Sequence, residues 1–499
     1  MKDTFYITTP IYYVNDKPHI GHAYTTILAD VLARFHRNLN RETFFLTGLD
    51  EHGQKVQQAA AERGVEAQQH CDEMAPRFMK LWKKLHISND DFIRTTEDRH
   101  KKVVQEILKR VHDAGDIYED EYEGLYSVSE ERFITEKEAE SGEFRDIKEL
   151  KEKNYFFKMS GYRQRLIDHI ETNKTFIQPE HRKNEVLGFL RQPLADLCIS
   201  RPKSRLNWGI ELPFDTNYVT YVWFDALINY ITASGFGSNE TLFQKWWPAS
   251  YHLIGKDILT THAVYWPTML MSAGLELPEA IFAHGWWLMA DAKMSKSQGN
   301  VVNPMDLIDD YGVDPVRYYL MREMVLGQDA NFTMESFIKR YNSDLANDFG
   351  NLLSRVSTLM KKNYDGKIPE PGELNAAENE IKNTGQALIS NLENKIKGMK
   401  INEALEDIMQ FIRGVNKYME EQAPWKLVKE DKESAARVLY TAGEALRIGA
   451  VLLSPVIPNR SAILIEALNA TDAALEWGGL TPGKKLKEHE PLFPRIRQP

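Results

Sequence analysis

Cysteine is nearly absent from this 499-residue chain, where Cys71 and Cys198 are the only two. Two isolated thiols cannot form a disulfide framework or a zinc site built of several cysteines. No uninterrupted apolar stretch is long enough to cross a bilayer. The opening residues, Met1-Lys2-Asp3-Thr4-Phe5-Tyr6-Ile7, lack the three regions of a signal peptide and enter a strand-like pattern at once. The expected compartment is therefore the cytoplasm, although a chain relieved of a transit peptide would read the same. An excess of positive charge is also missing: 62 Lys and Arg face 72 Asp and Glu, for a net charge of −10. That argues against wholesale coating of DNA, but one RNA could still dock on a locally basic face. There is no internal repeat and no low-complexity tract.

What is present is the composition of a soluble globular protein, 42% hydrophobic and 27% charged. The length exceeds one ordinary core, which implies roughly two to four domains. Phe5 to Tyr13 alternates and reads as a strand. Ile20, Ala23, Ile27, Leu28, Val31, Leu32 and Phe35 then recur at helical spacing, and Thr43 to Leu46 reads as a second buried strand. Strand, helix, strand is the opening of a parallel α/β unit. From about Gly115 to Asn217 short strand-like pieces mix with charge, which suggests an insertion. The α/β pattern resumes at Tyr218 to Trp223, with strands at Tyr251 to Ile254 and Ala280 to Ala283. From about Asp348 onward the pattern is helical, with Leu352, Val356, Leu359, Ala404, Leu405, Ile408, Phe411, Ile412 and Val415 on apolar faces.

Two constellations suit a triphosphate. Pro18-His19-Ile20-Gly21-His22 opens the first helix. A helix N-terminus offers N–H groups and a positive dipole end to an anion, and Gly21 lets a flat base approach the backbone. Lys293-Met294-Ser295-Lys296-Ser297-Gln298-Gly299-Asn300 can hold phosphates with ammonium groups, hydroxyls and amides. Each motif alone is compatible with a plain helix cap or a solvated basic turn. Their order, the first in the opening strand-to-helix loop and the second beyond the last strand, resembles the class I aminoacyl-tRNA synthetases, whose H-I-G-H and K-M-S-K-S motifs both match letter for letter.

Further segments resemble the methionyl-tRNA synthetase family in particular. They are Thr9-Pro10-Ile11-Tyr12-Tyr13-Val14-Asn15, Thr47-Gly48-Leu49-Asp50-Glu51-His52-Gly53, Tyr221-Val222-Trp223-Phe224-Asp225-Ala226 and Ile254-Gly255-Lys256-Asp257 through His262. The resemblance implies an α/β, Rossmann-like parallel-sheet catalytic domain with an inserted connective domain, followed by an all-α anticodon-binding helical bundle. The expected boundaries are 1–115 and 218–286 for the two catalytic halves, 116–217 for the insertion, 287–347 for the K-M-S-K-S loop and linking domain, and 348–499 for the helical domain. By resemblance, Asp50 holds the methionine ammonium group, and Ile11, Tyr13, Trp223, Leu227, Tyr230, His262 and Trp266 line the side-chain pocket. A thioether packs well on aromatic rings, and a tyrosine hydroxyl or neutral histidine could donate weakly to its sulfur. From the residues alone, Trp223, Tyr230 and Trp266 could equally be core, and Asp50 a loop cap.

For ATP, the resemblance implies His19, Gly21, His22, Gly255, Asp257, His284, Lys293, Met294, Lys296 and Ser297. His19, His22, Lys293 and Lys296 would stabilise phosphate charge as methionine carboxylate attacks the α-phosphorus, with Mg²⁺ accompanying ATP. At the helical end, Asn351, Arg355, Pro424 and Trp425 resemble anticodon contacts; a tryptophan at a helix start can also simply bury its ring. The implied partners are L-methionine and methionine tRNA, initiator and elongator alike, with no membrane and a monomeric state. A nucleotidyltransferase with the same core, or a non-catalytic tRNA-binding relative, would be the alternatives; the first would not need the helical end, and the second would have lost an ATP motif. The insertion, about 100 residues long, is much shorter than those carrying a proofreading site in the branched-chain relatives.

One departure stands out. Many family members open a zinc knuckle with Cys-x-x-Cys in the insertion, and here Ser127 and Glu130 stand at those positions. Serine is a poor zinc ligand beside thiolate, so the expected metal site is none, as in the zinc-lacking branch. Elemental analysis of dialysed protein is expected to find zinc far below stoichiometry; one retained zinc per chain would overturn this.

Overall fold

The computed structural model describes residues 4–14, 18–127, 132–134, 139–140, 146–289, 292–293, 303–470 and 474–497. The chain opens with β1 (Thr4–Tyr13), β2 (Glu42–Asp50) and β3 (Asp91–Arg94). The helix Ile20–Asn38 connects β1 to β2, which run parallel, as a parallel pair requires a crossover. Ala23, Ile27, Leu28 and Val31 are buried along it, as the spacing implies. Next come β4 (Ile117–Ser127), β5 (Arg132–Ile134), β6 (Ile147–Phe157), β7 (Ile177–Gln178) and β8 (Leu197–Cys198). They are followed by β9 (Ser200–Pro202), β10 (Glu211–Leu212), β11 (Asp215–Thr220), β12 (Tyr251–Gly255) and β13 (Ile281–His284).

The main sheet runs β3-β2-β1-β12-β13-β7, and every neighbouring pair is parallel. Its inner strands are largely buried and mostly apolar, as a covered parallel sheet demands. Successive strands are laid outward from β1 on one side, and later strands on the other. That reversal lies between β1 and β12, where open α/β sheets present ligands at their carboxyl ends. Strands β4, β5, β6 and β8 form a separate antiparallel sheet, and β9 to β11 a third. One detail corrects the expected outline. Strand β7 lies inside 116–217, the stretch expected to be wholly inserted, yet it pairs with β13 at the edge of the main sheet. A two-residue strand carries no periodicity that could announce it.

The chain divides into two compact units, Met1–Pro18 with Ala33–Lys83 and Ile87–His284, and His19–Leu32 with Lys84–His86 and Gly285–Pro499. In the first unit one core joins Leu46, Ile93, Phe157, Ile254 and Ile281. The second begins with β14 (Trp287–Met289), β15 (Ala292–Lys293) and β16 (Ala330–Asn331), which pair in the order β15-β14-β16. It continues through long helices at Asn351–Asn363, Ala376–Lys397, Ile401–Gln422 and Lys432–Leu453. The last is buried on all sides from Val438 to Leu453, so it is the central helix of this unit. On it Glu444 accepts the backbone N–H groups of Gly478, Gly479 and Leu480 at 2.8, 2.9 and 2.9 Å and pairs with Arg447 at 2.6 Å. A Cβ at Gly479 would lie 2.4 Å from Arg447 Cζ, so only glycine lets the strap pass.

Arg317, fully buried in the helix Val313–Glu323, organises the same unit. It donates to Asp30 Oδ2 at 2.6 Å and to the carbonyls of Leu85, Pro455 and Val456 at 3.0, 2.8 and 2.8 Å. Removing one side of a buried ion pair leaves the other charge unpaired in a dry interior. Arg317→Ala is therefore expected to lower the unfolding free energy by about 3–5 kcal/mol in urea titrations. Arg37→Ala, which breaks a partly exposed pair with Asp90, should cost less than about 1 kcal/mol. Equal effects would contradict this account of Arg317.

Candidate active site

His19 lies just before the helix Ile20–Asn38 rather than within it. Its carbonyl accepts from Ala23 N at 3.1 Å, which makes it the residue capping the helix Ile20–Asn38. His19 Nδ1 accepts the Gly21 N–H at 3.1 Å, and His22 Nδ1 accepts the His19 N–H at 3.4 Å. The two imidazoles thus perform the reciprocal exchange of a capping box. Their rings stack with centroids 3.8 Å apart. With both Nδ1 atoms accepting, each neutral ring carries its proton on Nε2, the kind of donor a phosphate oxygen uses. A Cβ at Gly21 would sit 2.9 Å from His19 Cε1, so this stack requires glycine. Lys293 ends β15, opposite Leu288 of β14. Met294, Lys296 and Ser297 lie outside the described residues, as does Glu130.

Gly255 and His284 are register partners at the carboxyl ends of β12 and β13. A Cβ on Gly255 would meet Asp257 Oδ1 at 2.6 Å and His284 Cε1 at 3.9 Å. The structure thus brings these three together at the strand ends. Asp257 is exposed on the short turn Lys256–Ile258, and His284 is buried.

Tyr13 and Asp50 are register partners at the carboxyl ends of β1 and β2, and Asp50 is buried. Leu227, Tyr230 and Trp266 are buried in the core of the same unit, with Ile11, Tyr13 and Trp223 half-buried against it. His262 lies in a π-helical turn, Thr261–Tyr265, a local widening often found at functional sites. Trp223 meets the His262 ring edge-on at 6.2 Å, and Trp266 lies 6.0 Å from Tyr230. Hydrogen bonds fix the polar groups. His262 Nδ1 faces the Ile258 carbonyl at 2.9 Å, and a carbonyl only accepts, so Nδ1 donates. His262 Nε2 therefore accepts the Tyr230 hydroxyl at 2.8 Å. The donors expected to reach a thioether are here directed at protein acceptors. What Trp223, Tyr230 and Trp266 present is polarisable aromatic surface.

Sequence reasoning missed a buried polar group in the same unit. Asp225, fully buried, takes His52 Nδ1 on one oxygen and His100 Nε2 on the other, both at 2.6 Å. Burial alone would raise its pKa, but the two imidazoles outweigh it and bring the value down to about 2. The carboxylate thereby ties the segment after Asp50 to the helices Asp98–Asp113 and Val222–Leu227. Its only sequence signal is an acidic residue within an apolar run.

In the second unit, Asn351 is exposed at the start of the helix Asn351–Asn363 and Arg355 lies one turn on. The Arg355 guanidinium covers the Trp425 ring at 5.3 Å and pairs with Glu420 at 2.7 Å. Pro424 is buried as the first residue of Pro424–Glu430, while Trp425 is only half-buried. Arg355, Pro424 and Trp425 are therefore brought together, and the tryptophan is not core. Among the described residues no three His, Cys, Asp or Glu side chains cluster as a metal site, and no helix is long and apolar enough to cross a membrane.

Burial lowers the His262 pKa to about 4. Below about pH 6.5 the unfolded chain takes up a proton that folded His262 refuses, so stability present above that pH is lost as the pH falls towards about 4. Between about pH 7 and about pH 5 this group should remove about 2 kcal/mol of unfolding free energy. His262→Gln should show a correspondingly shallower loss in urea titrations at the two pH values; parallel losses would refute the assignment.

Two family descriptions cover nearly the whole chain. That of the class I tRNA synthetases (M) matches residues 5–142 and 141–357, and that of the anticodon binding domain of methionyl tRNA ligase matches 368–498. The methionine–tRNA ligase of Clostridium tetani is 48% identical over 99% of this chain and 79% of its own length. That of Bacillus subtilis is 45% identical over 99% and 78%. The Mycobacterium tuberculosis methionyl-tRNA synthetase, solved with methionyl-adenylate, superposes with a TM-score of 0.94 at 41% identity, over 99% of this chain and 100% of that one. The parallel sheet, the histidine-capped helix, the aromatic cluster and the helical end are thus the parts of one enzyme type, and the chain belongs to the methionine–tRNA ligases, class I aminoacyl-tRNA synthetases.

Proposed function

We propose that the chain joins L-methionine to ATP through the roles its residues suggest, and then passes the methionyl group to the terminal adenosine of methionine tRNA. Asp50 holds the substrate ammonium group beside Tyr13. Ile11, Trp223, Leu227, Tyr230, His262 and Trp266 enclose the side chain. Gly255, Asp257 and His284 receive the nucleoside. His19, Gly21 and His22, with Lys293, Met294, Lys296 and Ser297, hold the triphosphate of MgATP. The carboxylate of methionine attacks the α-phosphorus and pyrophosphate leaves; positioning and charge stabilisation are the protein's contribution. Asn351, Arg355, Pro424 and Trp425 read the anticodon, by stacking and by base-edge hydrogen bonds.

The observation that carries this reading is the pairing of Tyr13 with Asp50 at the ends of two parallel strands. It sets a buried carboxylate next to aromatic surface where such sheets present ligands. By analogy within the family, the enzyme acts in the cytoplasm as a monomer on initiator and elongator tRNA, with 1–115, 116–217, 218–286, 287–347 and 348–499 as its working divisions, β7 of the second being shared with the main sheet. Ser127 in place of a thiolate supports an insertion without zinc.

Methionine-dependent exchange of pyrophosphate into ATP, run beside aminoacylation, separates the two ends of the molecule. Asp50→Asn should lower exchange by at least about a hundredfold. Trp425→Ala should leave exchange intact and slow tRNA charging by between about fivefold and a hundredfold, the worth of one stacked base. Exchange driven by another amino acid would overturn the pocket assignment. Normal charging by the tryptophan variant would overturn the anticodon assignment.

A further inference from the structure

His252 is fully buried on β12, between β1 and β13. Every polar atom of its ring has a partner. The Trp266 indole Nε1 donates to His252 Nε2 at 3.2 Å. An indole N–H can only donate, so Nε2 accepts and the neutral ring carries its proton on Nδ1. Nδ1 then donates to Thr8 Oγ1 at 2.8 Å, from the residue directly opposite on β1. One ring face is also taken: Tyr230 stacks on it with centroids 4.1 Å apart and planes 30° from parallel. Tyr230 is held from its other polar ends, its carbonyl by the Tyr6 hydroxyl at 2.7 Å and its own hydroxyl by His262. Burial, with His262 adding to it, keeps the His252 pKa well below the usual histidine value, so the single tautomer persists.

We propose that His252 is a positioning residue for methionine selection: it fixes the Trp266 indole by one nitrogen and the Tyr230 ring by one face, and so sets the width of the pocket. The proposal rests on reading Tyr230 and Trp266 as pocket walls. An apolar residue at 252 would leave the indole N–H and the Thr8 hydroxyl without acceptor or donor in a dry interior, and both would reorient to find one. A pocket wall that turns by one rotamer misplaces the surface a side chain packs on.

The test is pyrophosphate exchange by the full-length enzyme, normalised to titrated active sites. His252→Phe keeps a ring beneath Tyr230 and removes both polar partners. It should raise the KM for methionine about tenfold, with kcat and the KM for ATP changed by less than about threefold. Thr8→Val, a milder change that carries the test if His252→Phe does not fold, should raise the same KM by about threefold. Trp266→Phe should add little to His252→Phe, because the bond it removes is already gone. A role in folding alone would lower Tm and the active fraction and leave the methionine KM untouched, and that result overturns the proposal. Multiplicative effects of His252→Phe and Trp266→Phe would overturn it as well. Tyr230→Ala and Trp266→Ala separate the two levels. If they raise the methionine KM and the variants at 252 and 8 do not, only the role of His252 falls. If they too leave it unchanged, the pocket reading falls.

Discussion

Arg317 and Asp30 are 287 residues apart in the chain and both fully buried. Two charges withdrawn from water are costly unless geometry is good and the remaining donors are satisfied. Arg317 meets that condition with three backbone carbonyls besides the carboxylate. The consequence reaches the chemistry. Asp30 sits on the helix Ile20–Asn38, about three turns beyond its first residues. Holding that helix in rotation and height sets the direction in which the His19–His22 stack faces. A guanidinium fork, planar and permanently charged, fixes both in a way an ammonium could not.

The first unit solves a different problem with the same means. A pocket for an apolar side chain must be dry, yet the substrate also brings an ammonium and a carboxylate. On the proposed reading, the sheet resolves this by position. Its apolar strands run beneath, and the polar residues gather at strand ends, with Tyr13 beside Asp50 and Gly255 beside His284. Behind the walls, polar groups are paired off: Asp225 with His52 and His100, His252 with Thr8 and Trp266, Tyr230 with His262. Networks satisfied in this way give rigidity, because no member can rotate without orphaning another.

How much of this was legible depended on whether a signal is local. The strands at Phe5 to Tyr13 and Ala280 to Ala283, and the helical face from Ala404 to Val415, follow from periodicity within a short window, and the structure has them. The letters around His19, Asp50, Trp223 and Gly255 carried the family because they are contiguous. His252, His100 and Asp225 were not legible. His252 and Asp225 are each one polar residue in an apolar stretch, His100 is one of several polar residues between Glu97 and Lys102, and their partners lie between 14 and 244 residues away. Pairing at that distance leaves no trace in one sequence. Strand β7 was hidden for the opposite reason, being too short to show a period. The role of His19 as cap was hidden because spacing alone cannot tell the last residue before a helix from the first residue within it.

The pocket's hydrogen bonds also bear on how a thioether would be told from other side chains. Sulfur is a weak acceptor, and a donor aimed at it gains little. Here the Tyr230 hydroxyl and the His262 N–H point at His262 Nε2 and the Ile258 carbonyl, which are far better acceptors. To serve sulfur, either would have to break a buried bond, at a cost above the return. Recognition in this arrangement falls to shape and polarisability: an unbranched, flexible chain sliding between fixed aromatic planes, with sulfur against ring edges. On the proposed reading, such a pocket would reject branched side chains by overlap and polar ones by the cost of desolvation. Its selectivity is then only as good as the immobility of its walls. With Tyr230 and Trp266 read as walls, as proposed, the polar groups hidden behind them matter as much as the rings themselves.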